Sequence, residues 1–340
     1  MARATVRATA VRVGWIGLGA MGRPMAARAA AAGHQVRACD ADPKITARGD
    51  GVEVVATPAE AAAGAEAVVV MVATAAQAEA VLLGPDGVLP AIVAGRRDGA
   101  APGQPGRDPG TLSPSPRPGV PDPARVPVPV PVVVTATVGP RAMGSLAAAI
   151  RDAGAVTVDA PVSGGTTRAA TGDLLVMVGA EPSALDAVRP LLDALASSVV
   201  VVGPVAGDGQ RLKLVNQLLA GVHIAAAGEA LAFVERLGLD PATCHDVLGR
   251  GAAASFMFTD RGARMVAGQV DDVRSALDLF VKDLGLVTGE AAAHGASVPL
   301  ASAAETVFRA GHDRGLGRRD DSSVIEVLRH PDPVGSDHGD

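Results

Sequence analysis

The chain has no tyrosine, one tryptophan and five phenylalanines in 340 residues. Binders of single-stranded nucleic acid stack bases on aromatic side chains along a basic groove. Here the aromatics are scarce, no dense Lys/Arg block occurs and the formal net charge is -6, so nucleic acid is not an expected partner. Cysteine is equally rare. Cys39 and Cys244 stand far apart, with no CxxC and no histidine at ligand spacing, which argues against a disulfide framework and against a metal site. That usage fits a reducing cytoplasm. Glycine or charge interrupts the longest apolar runs short of the ~18 residues a spanning helix needs, so no membrane span is expected. The first ten residues carry no apolar signal-like stretch and read as a flexible tail, as do residues 331–340.

What is present points to a globular chain: 48% of residues are hydrophobic and 19% charged, and the length suits two domains of about 150 residues. Val11–Ile16 is a short apolar run that ends in Gly17-Leu-Gly19-Ala-Met-Gly22, followed by an Ala-rich helical stretch to Ala32 and a stop at Gly33. Gln35–Cys39 reads as a second strand ending at Asp40, Pro58–Ala63 as a helix, and Ala67–Val72 as a third strand. This β-α-β rhythm with wholly apolar strands predicts a Rossmann-type α/β domain with a parallel, doubly wound sheet. The pattern breaks from about Ala94 to Pro131, a Pro/Gly-rich stretch with the run Arg125-Val-Pro-Val-Pro-Val-Pro-Val132. Such a segment buries too little apolar surface to offset its ordering entropy and is expected to be a disordered insertion with polyproline II character. A ligand for an SH3-type domain and a local shift of reading frame are its other readings. Order returns with strands at Val132–Thr137, Val156–Ala160, Leu174–Gly179 and Ser198–Val202 and helices at Arg141–Ala153 and Ser183–Ala196. From Gln210 to Leu237 runs one long helical pattern ended by Gly238, and everything to about Leu328 reads as helix. The expected domains are 11–203, α/β, and 207–330, a connecting helix with an all-α domain.

Gly17-x-Gly19-x-x-Gly22 closes a strand and opens a helix, the context in which this spacing binds a dinucleotide. The first glycine permits the tight turn, the second lets backbone approach the pyrophosphate, and the third lets helix and strand pack. The pyrophosphate then meets free N–H groups at a helix N-terminus. Asp40, about twenty residues on, sits where an acid hydrogen-bonds the adenosine ribose and repels a 2′-phosphate, which favours NAD over NADP. A purely structural Gly-rich turn is the competing reading. The expected cofactor set is Gly17, Leu18, Gly19, Ala20, Met21, Gly22, Asp40, and Met71 and Val72 at the end of the third strand.

Gly17-Leu-Gly19-Ala-Met-Gly22-x-x-Met25-Ala26 resembles the N-terminal signature of the β-hydroxyacid dehydrogenases, the family of 3-hydroxyisobutyrate dehydrogenase and tartronate semialdehyde reductase. Asp159-Ala-Pro-Val-Ser163-Gly164-Gly165 is similar to its substrate-binding segment, Gly207-Asp-Gly209-Gln-Arg-Leu-Lys213-Leu-Val-Asn216-Gln217 to its catalytic helix, and Phe280-Val-Lys282-Asp283-Leu284 to a segment whose lysine reaches the cofactor. Thr137 matches a small hydroxyl residue near the nicotinamide. The resemblance covers about Val11–Leu328 apart from the insertion. Most members carry Asn-Asn where this chain has Asn216-Gln217. That feature, with Ser255-Phe-Met-Phe258 and Asp320-Asp-Ser-Ser-Val-Ile325, is similar to the L-threonate dehydrogenase branch.

The resemblance implies NAD-dependent oxidation of a short hydroxy acid, L-threonate to its 2-keto acid, with 3-hydroxyisobutyrate or tartronate semialdehyde chemistry as alternatives. It also implies a homodimer or homotetramer formed through the helical domain. Lys213 would be the general acid/base, its pKa lowered by burial and by the positive nicotinamide ring. Asn216 and Gln217, at i+3 and i+4, share its helix face and would bind substrate hydroxyls and hold the lysine. Ser163, Gly164 and Gly165 offer a hydroxyl and two open N–H groups to a carboxylate, and Lys282 would touch the cofactor. The bland alternatives are a surface lysine, a core amide, a plain turn and a helix-surface Lys-Asp pair. Arg168 is expected to be solvated. His223 lies ten residues past Lys213, roughly 15 Å along the helix, and is taken as structural. No metal is expected, because the lysine makes one unnecessary. A function of another class, a non-catalytic scaffold on a dehydrogenase fold, would be favoured by loss of the lysine and added basic segments, and neither is seen.

Overall fold

The computed structural model describes residues 10–98 and 129–330. The described residues form two compact units, one within Met1–Gly164 and Arg168–Asp208, the other within Gly165–Thr167 and Gly209–Asp340.

The first unit is α/β. Among the described residues its sheet has nine strands: β1 (Arg12–Ile16), β2 (Gln35–Cys39), β3 (Val52–Val54), β4 (Ala67–Val70), β5 (Pro131–Val134), β6 (Val156–Asp159), β7 (Val162–Ser163), β8 (Leu174–Gly179) and β9 (Ala196–Gly203). The order is β3-β2-β1-β4-β5-β6-β8-β7, with β9 also paired to β8. Strands β3 to β6 in that order run parallel. The sheet then reverses, because β8 pairs antiparallel with β6 and β7 while β9 runs parallel to β8. The doubly wound sheet is therefore mostly rather than wholly parallel.

The apolar strands are explained by burial on both faces. Val13 and Trp15 of β1, Val69 of β4 and Val133 of β5 enter one core with Met25 of α1 (Gly22–Ala31) and Leu191 of α7 (Pro182–Leu195). Their neighbours Ile16, Val68, Val70, Val132 and Val134 enter a second core with Ala61 of α2 (Pro58–Ala62), Leu82 of α3 (Ala75–Leu83), Val88 of α4 (Val88–Asp98) and Ile150 of α5 (Pro140–Asp152). A period-two alternation thus feeds two helical layers from one sheet. Local signals set the helix starts: Thr74 and Gln77 form a reciprocal capping box on α3, and Pro58 and Pro140 occupy the first turns of α2 and α5. The short helix α6 (Gly165–Thr171) precedes β8.

Several boundaries differ from the sequence expectation. The helix α4 continues through Ala94 to Asp98 and β5 begins at Pro131, so the irregular segment is shorter than 94–131 at both ends. Its remainder, residues 99–128, lies outside the described residues, as do the tails 1–9 and 331–340. The strands expected to reach Val72 and Thr137 end at Val70 and Val134. The short strands β3 and β7 carry too few residues to show a period in sequence.

The second unit is helical: α8 (Asp208–Arg236), α9 (Pro241–Leu248), α10 (Phe256–Ala267), α11 (Leu277–Ala293), α12 (Pro299–Asp313), a 3-10 turn at Asp321–Val324 and α13 (Ile325–Arg329). The core of this unit gathers Ile224 and Leu231 of α8, Met265, Leu284, and the stacked rings of Phe280 and Phe308, whose centroids lie 5.3 Å apart. Two stretches, Ala75–Arg96 and Asp208–Arg236, are long and apolar enough to cross a membrane by length and composition. The count of unbroken runs does not register these stretches, since a window average tolerates isolated glycines and polar residues that interrupt a run. Here the first stretch is broken into α3 and α4 by the turn at Gly84–Gly87, and the second packs fourteen buried residues, Lys213 and Gln217 among them.

Candidate active site

In the α/β unit the cofactor candidates line the C-terminal edge of the parallel strands, where the order reverses direction around β1 and ligands of such sheets bind. The backbone of Gly17 has φ +100°, and a Cβ there would stand 2.1 Å from the Met71 carbonyl oxygen. A Cβ on Gly22 would stand 2.0 Å from the Gly17 carbonyl oxygen. Both glycines are therefore demanded by the turn itself. Gly19 is different: a Cβ on it would meet nothing within 4 Å. The protein's own packing gives no reason for glycine at that position, whereas a ligand lying against the backbone would. Met21 opens α1 with no side-chain cap and no acid in the first turn, which leaves the positive end of the helix to an anionic group. The loop thus fits a dinucleotide's pyrophosphate.

Asp40 follows β2 and accepts the Leu18 N–H at 2.6 Å on one oxygen and the Asp42 N–H at 2.9 Å on the other. An ionised carboxylate has about four acceptor sites, so capacity for ribose hydroxyls remains. Arg37, on β2, is tied instead to Glu53 at 3.5 Å and to the Ala63 carbonyl. The Met71 N–H donates to the Ile16 carbonyl at 2.8 Å, and its sulfur accepts from Thr135 Oγ1 at 3.2 Å. Val72 lies beside Gly17, and the half-buried Thr137 lies in the otherwise buried loop between β5 and α5. Ser163, Gly164 and Gly165 form the turn from β7 into α6, with φ +147° at Gly164 and +73° at Gly165. Gly164 is needed locally, since its Cβ would press on Leu174 and Arg168, whereas Gly165 faces open space. Arg168 pairs with Asp173 at 2.9 Å in a half-exposed bridge.

In the helical unit, Lys213, Gln217 and Asp283 are each less than a tenth exposed. Lys213 Nζ donates to Gln217 Oε1 at 2.7 Å, one helical turn further along α8. Asn216 Nδ2 donates to the same oxygen at 2.9 Å. The Gln217 amide nitrogen donates across to Asp283 Oδ2 on α11. Lys282 Nζ lies 2.8 Å from the other carboxylate oxygen, a charge contact without hydrogen-bond alignment. Burial lowers the Lys213 pKa from the ordinary 10.5 to about 8; the Asp283 carboxylate pulls it back up and the Lys282 ammonium pushes it further down. Near-neutral titration is what a lysine needs to accept and return a proton.

Sequence reasoning does not single out Asp283. Its signal is an acid within an otherwise apolar helical segment, Phe280-Val-Lys-Asp-Leu284, which periodicity alone places equally well at a surface. In a second buried polar cluster the sequence motif Asp320-Asp-Ser-Ser-Val-Ile325 does not reveal the arginines that it meets. Arg264 on α10 donates to Asp320 and Asp260, and Arg261 to Asp321 and Asp260. Asp320 caps the 3-10 turn through the Ser322 N–H and hydroxyl.

Comparison with known proteins follows the same division. Residues 12–97 and 130–203 match the family model of the NAD binding domain of 6-phosphogluconate dehydrogenase. Residues 207–328 match that of the NAD-binding region of NADP-dependent 3-hydroxyisobutyrate dehydrogenase. The chain is 36% identical to L-threonate dehydrogenase of Cupriavidus necator, over 93% of this chain and 95% of that protein. It is 33% identical to L-threonate dehydrogenase of Haemophilus influenzae, over 92% and 93%. A crystal structure described as 3-hydroxyisobutyrate dehydrogenase from Salmonella typhimurium is similar with a TM-score of 0.78 at 35% identity, covering 93% of this chain and 99% of that one.

Proposed function

Because this chain belongs to the β-hydroxyacid dehydrogenases related to 3-hydroxyisobutyrate dehydrogenase, and is thus an NAD(P)-dependent dehydrogenase of hydroxy acids, we propose that it oxidises L-threonate to the 2-keto acid with Lys213 as general acid/base. The observation that carries the reading is the buried Lys213, held by Gln217 and with its pKa lowered by burial to about 8. The relatives named L-threonate dehydrogenase support the substrate. A bound nicotinamide dinucleotide supplies the hydride acceptor. The residues of this chain move the proton and hold the reactants. Neutral Lys213 takes the proton of the hydroxyl being oxidised; in the reverse direction its ammonium donates that proton to the keto oxygen. Asn216 and Gln217 bind further hydroxyls. Ser163 with the backbone of Gly164 and Gly165 takes the carboxylate. Gly17–Gly22 cradles the pyrophosphate, Asp40 the adenosine ribose, and Met71, Val72, Thr137 and Lys282 complete the cofactor set. The Asp40 carboxylate repels a 2′-phosphate, so NAD is preferred over NADP. The exposed Leu212, Val215, Leu219 and Phe233 of α8 support a homo-oligomer.

A second reading, oxidation of 3-hydroxyisobutyrate, is favoured by the description of the Salmonella structure. The test is NADH production at mildly alkaline pH with L-threonate, D-threonate, D-erythronate, 3-hydroxyisobutyrate and D-glycerate in parallel, for wild type and Lys213→Ala. We expect L-threonate to give the highest kcat/KM, NAD to exceed NADP, and the variant to lose on the order of 10²–10⁴-fold. Preference for 3-hydroxyisobutyrate would transfer the assignment to the second reading. Full activity of the variant would remove Lys213 from the chemistry.

A further inference from the structure

The amide of Gln217 sits between an acid and a base and could present either end to Lys213. Its orientation decides what Lys213 can do. An ionised carboxylate only accepts hydrogen bonds, whereas an amide both donates and accepts. Asp283, buried and bonded to Gln217, therefore takes the amide N–H and turns Oε1 toward α8. That oxygen receives the hydrogens of Lys213 Nζ and Asn216 Nδ2. A neutral Lys213 amine has two N–H groups and one lone pair. With an acceptor in front of it, it spends an N–H on Gln217 and keeps the lone pair for a proton. Were the amide reversed, its N–H would face the amine, occupy the lone pair and repel the ammonium.

We infer that Asp283 is a positioning residue that acts on Lys213 through Gln217, holding the amide in the one orientation that leaves the lysine lone pair open. This rests on Lys213 being the proton-transfer group. It also explains the glutamine. From i+4 on α8 its side chain spans both Lys213 and Asp283, a bridge that an asparagine, one methylene shorter, would not reach without a shift of α11. Among the described residues the charged groups acting on Lys213 are Asp283 and Lys282, both on α11, and Gln217 on its own helix accepts its hydrogen bond.

The test is the pH dependence of kcat/KM for hydroxy-acid oxidation, which reports the free enzyme, in wild type, Asp283→Asn, Gln217→Asn and the double variant. NADH binding by fluorescence serves as the measure of an intact protein. The amide introduced by Asp283→Asn can donate as well as accept, so it no longer dictates the orientation of Gln217. We expect Asp283→Asn to lower the plateau at least 10-fold, because a reversed amide occupies the lysine lone pair, and to move the alkaline-rising limb to lower pH, because the ammonium loses both the nearby carboxylate and the amide oxygen held toward it. Gln217→Asn should move the limb in the same direction, and the double variant should be no worse than the poorer single one. If Asp283→Asn does not bind NADH, the limb of Gln217→Asn alone decides. An unmoved limb in Gln217→Asn, or losses that multiply in the double variant, would overturn the relay. Lys213→Ala, run alongside, keeps the two ideas apart: its full activity sinks the lysine reading, whereas its inactivity beside an unmoved limb sinks the relay only.

Discussion

Lys213 illustrates how a residue fitted for chemistry weakens the fold around it. Its pKa is held near 8 by burial, while in the unfolded chain it returns to the ordinary 10.5. At pH 7 the lysine is protonated in both states and the folded state bears the whole penalty, on the order of a few kcal/mol. Between about pH 8 and 10.5 the unfolded chain binds more protons than the folded one, so stability rises with pH across that window, and above it the penalty is gone. Lys213→Met removes the charge and leaves Gln217 Oε1 with its Asn216 donor. The cofactor-free variant should therefore melt several degrees above wild type at pH 7 while being inactive, and the gap should close by about pH 10. Scanning calorimetry at both pH values checks it; equal melting at pH 7 would mean that the ammonium is well solvated.

At the scale of elements, the turn from β1 to α1 separates glycines that the fold requires from one that it does not. Gly17→Ala forces a Cβ against the Met71 carbonyl and should cost several degrees of melting temperature together with cofactor binding. Gly19→Ala points into open space, so its melting temperature should stay within a degree or two of wild type while its Kd for NADH rises about 10-fold or more. Fluorescence titration and a melt on each variant test this. Unchanged affinity in Gly19→Ala would show that the pyrophosphate does not lie on that loop. Another element-level device lies in the helical unit, where Arg264 and Arg261 fasten α10 to the buried Asp320-Asp321 pair. Burial raises the pKa of Asp321 although Arg261 opposes it, whereas burial at Asp320 is outweighed by hydrogen bonds from Ser322 and Arg274, which hold its pKa low.

At the scale of the whole molecule, α8 carries an unusual surface. Leu212, Val215, Leu219 and Phe233, with Leu237 just beyond its end, are exposed and recur at helical spacing over roughly 40 Å. An apolar stripe of this length marks an interface more often than a solvated face. The proposed homo-oligomer should elute with a light-scattering mass of at least two chains, and Leu219→Glu with Phe233→Glu should bring it to one. A wild-type mass of one chain would refute the proposal. Much of this molecule was legible in the sequence. Runs of β-branched residues between glycine turns must bury both faces, which implied the parallel strands and the doubly wound sheet. The glycine spacing after β1 and the lysine motif on the long helix located the candidate site, because turn geometry and helical periodicity are local properties of the chain. Interactions between distant residues were not legible. The reversal at β8 depends on pairing, and the role of Asp283 depends on a hydrogen bond across 66 positions. A comparable separation, 56 positions, joins Arg264 to Asp320. Local sequence determined which elements form and which residues carry chemistry; only tertiary packing decided which buried charges meet, since the cost of burying a charge falls on whichever partner the fold brings to it.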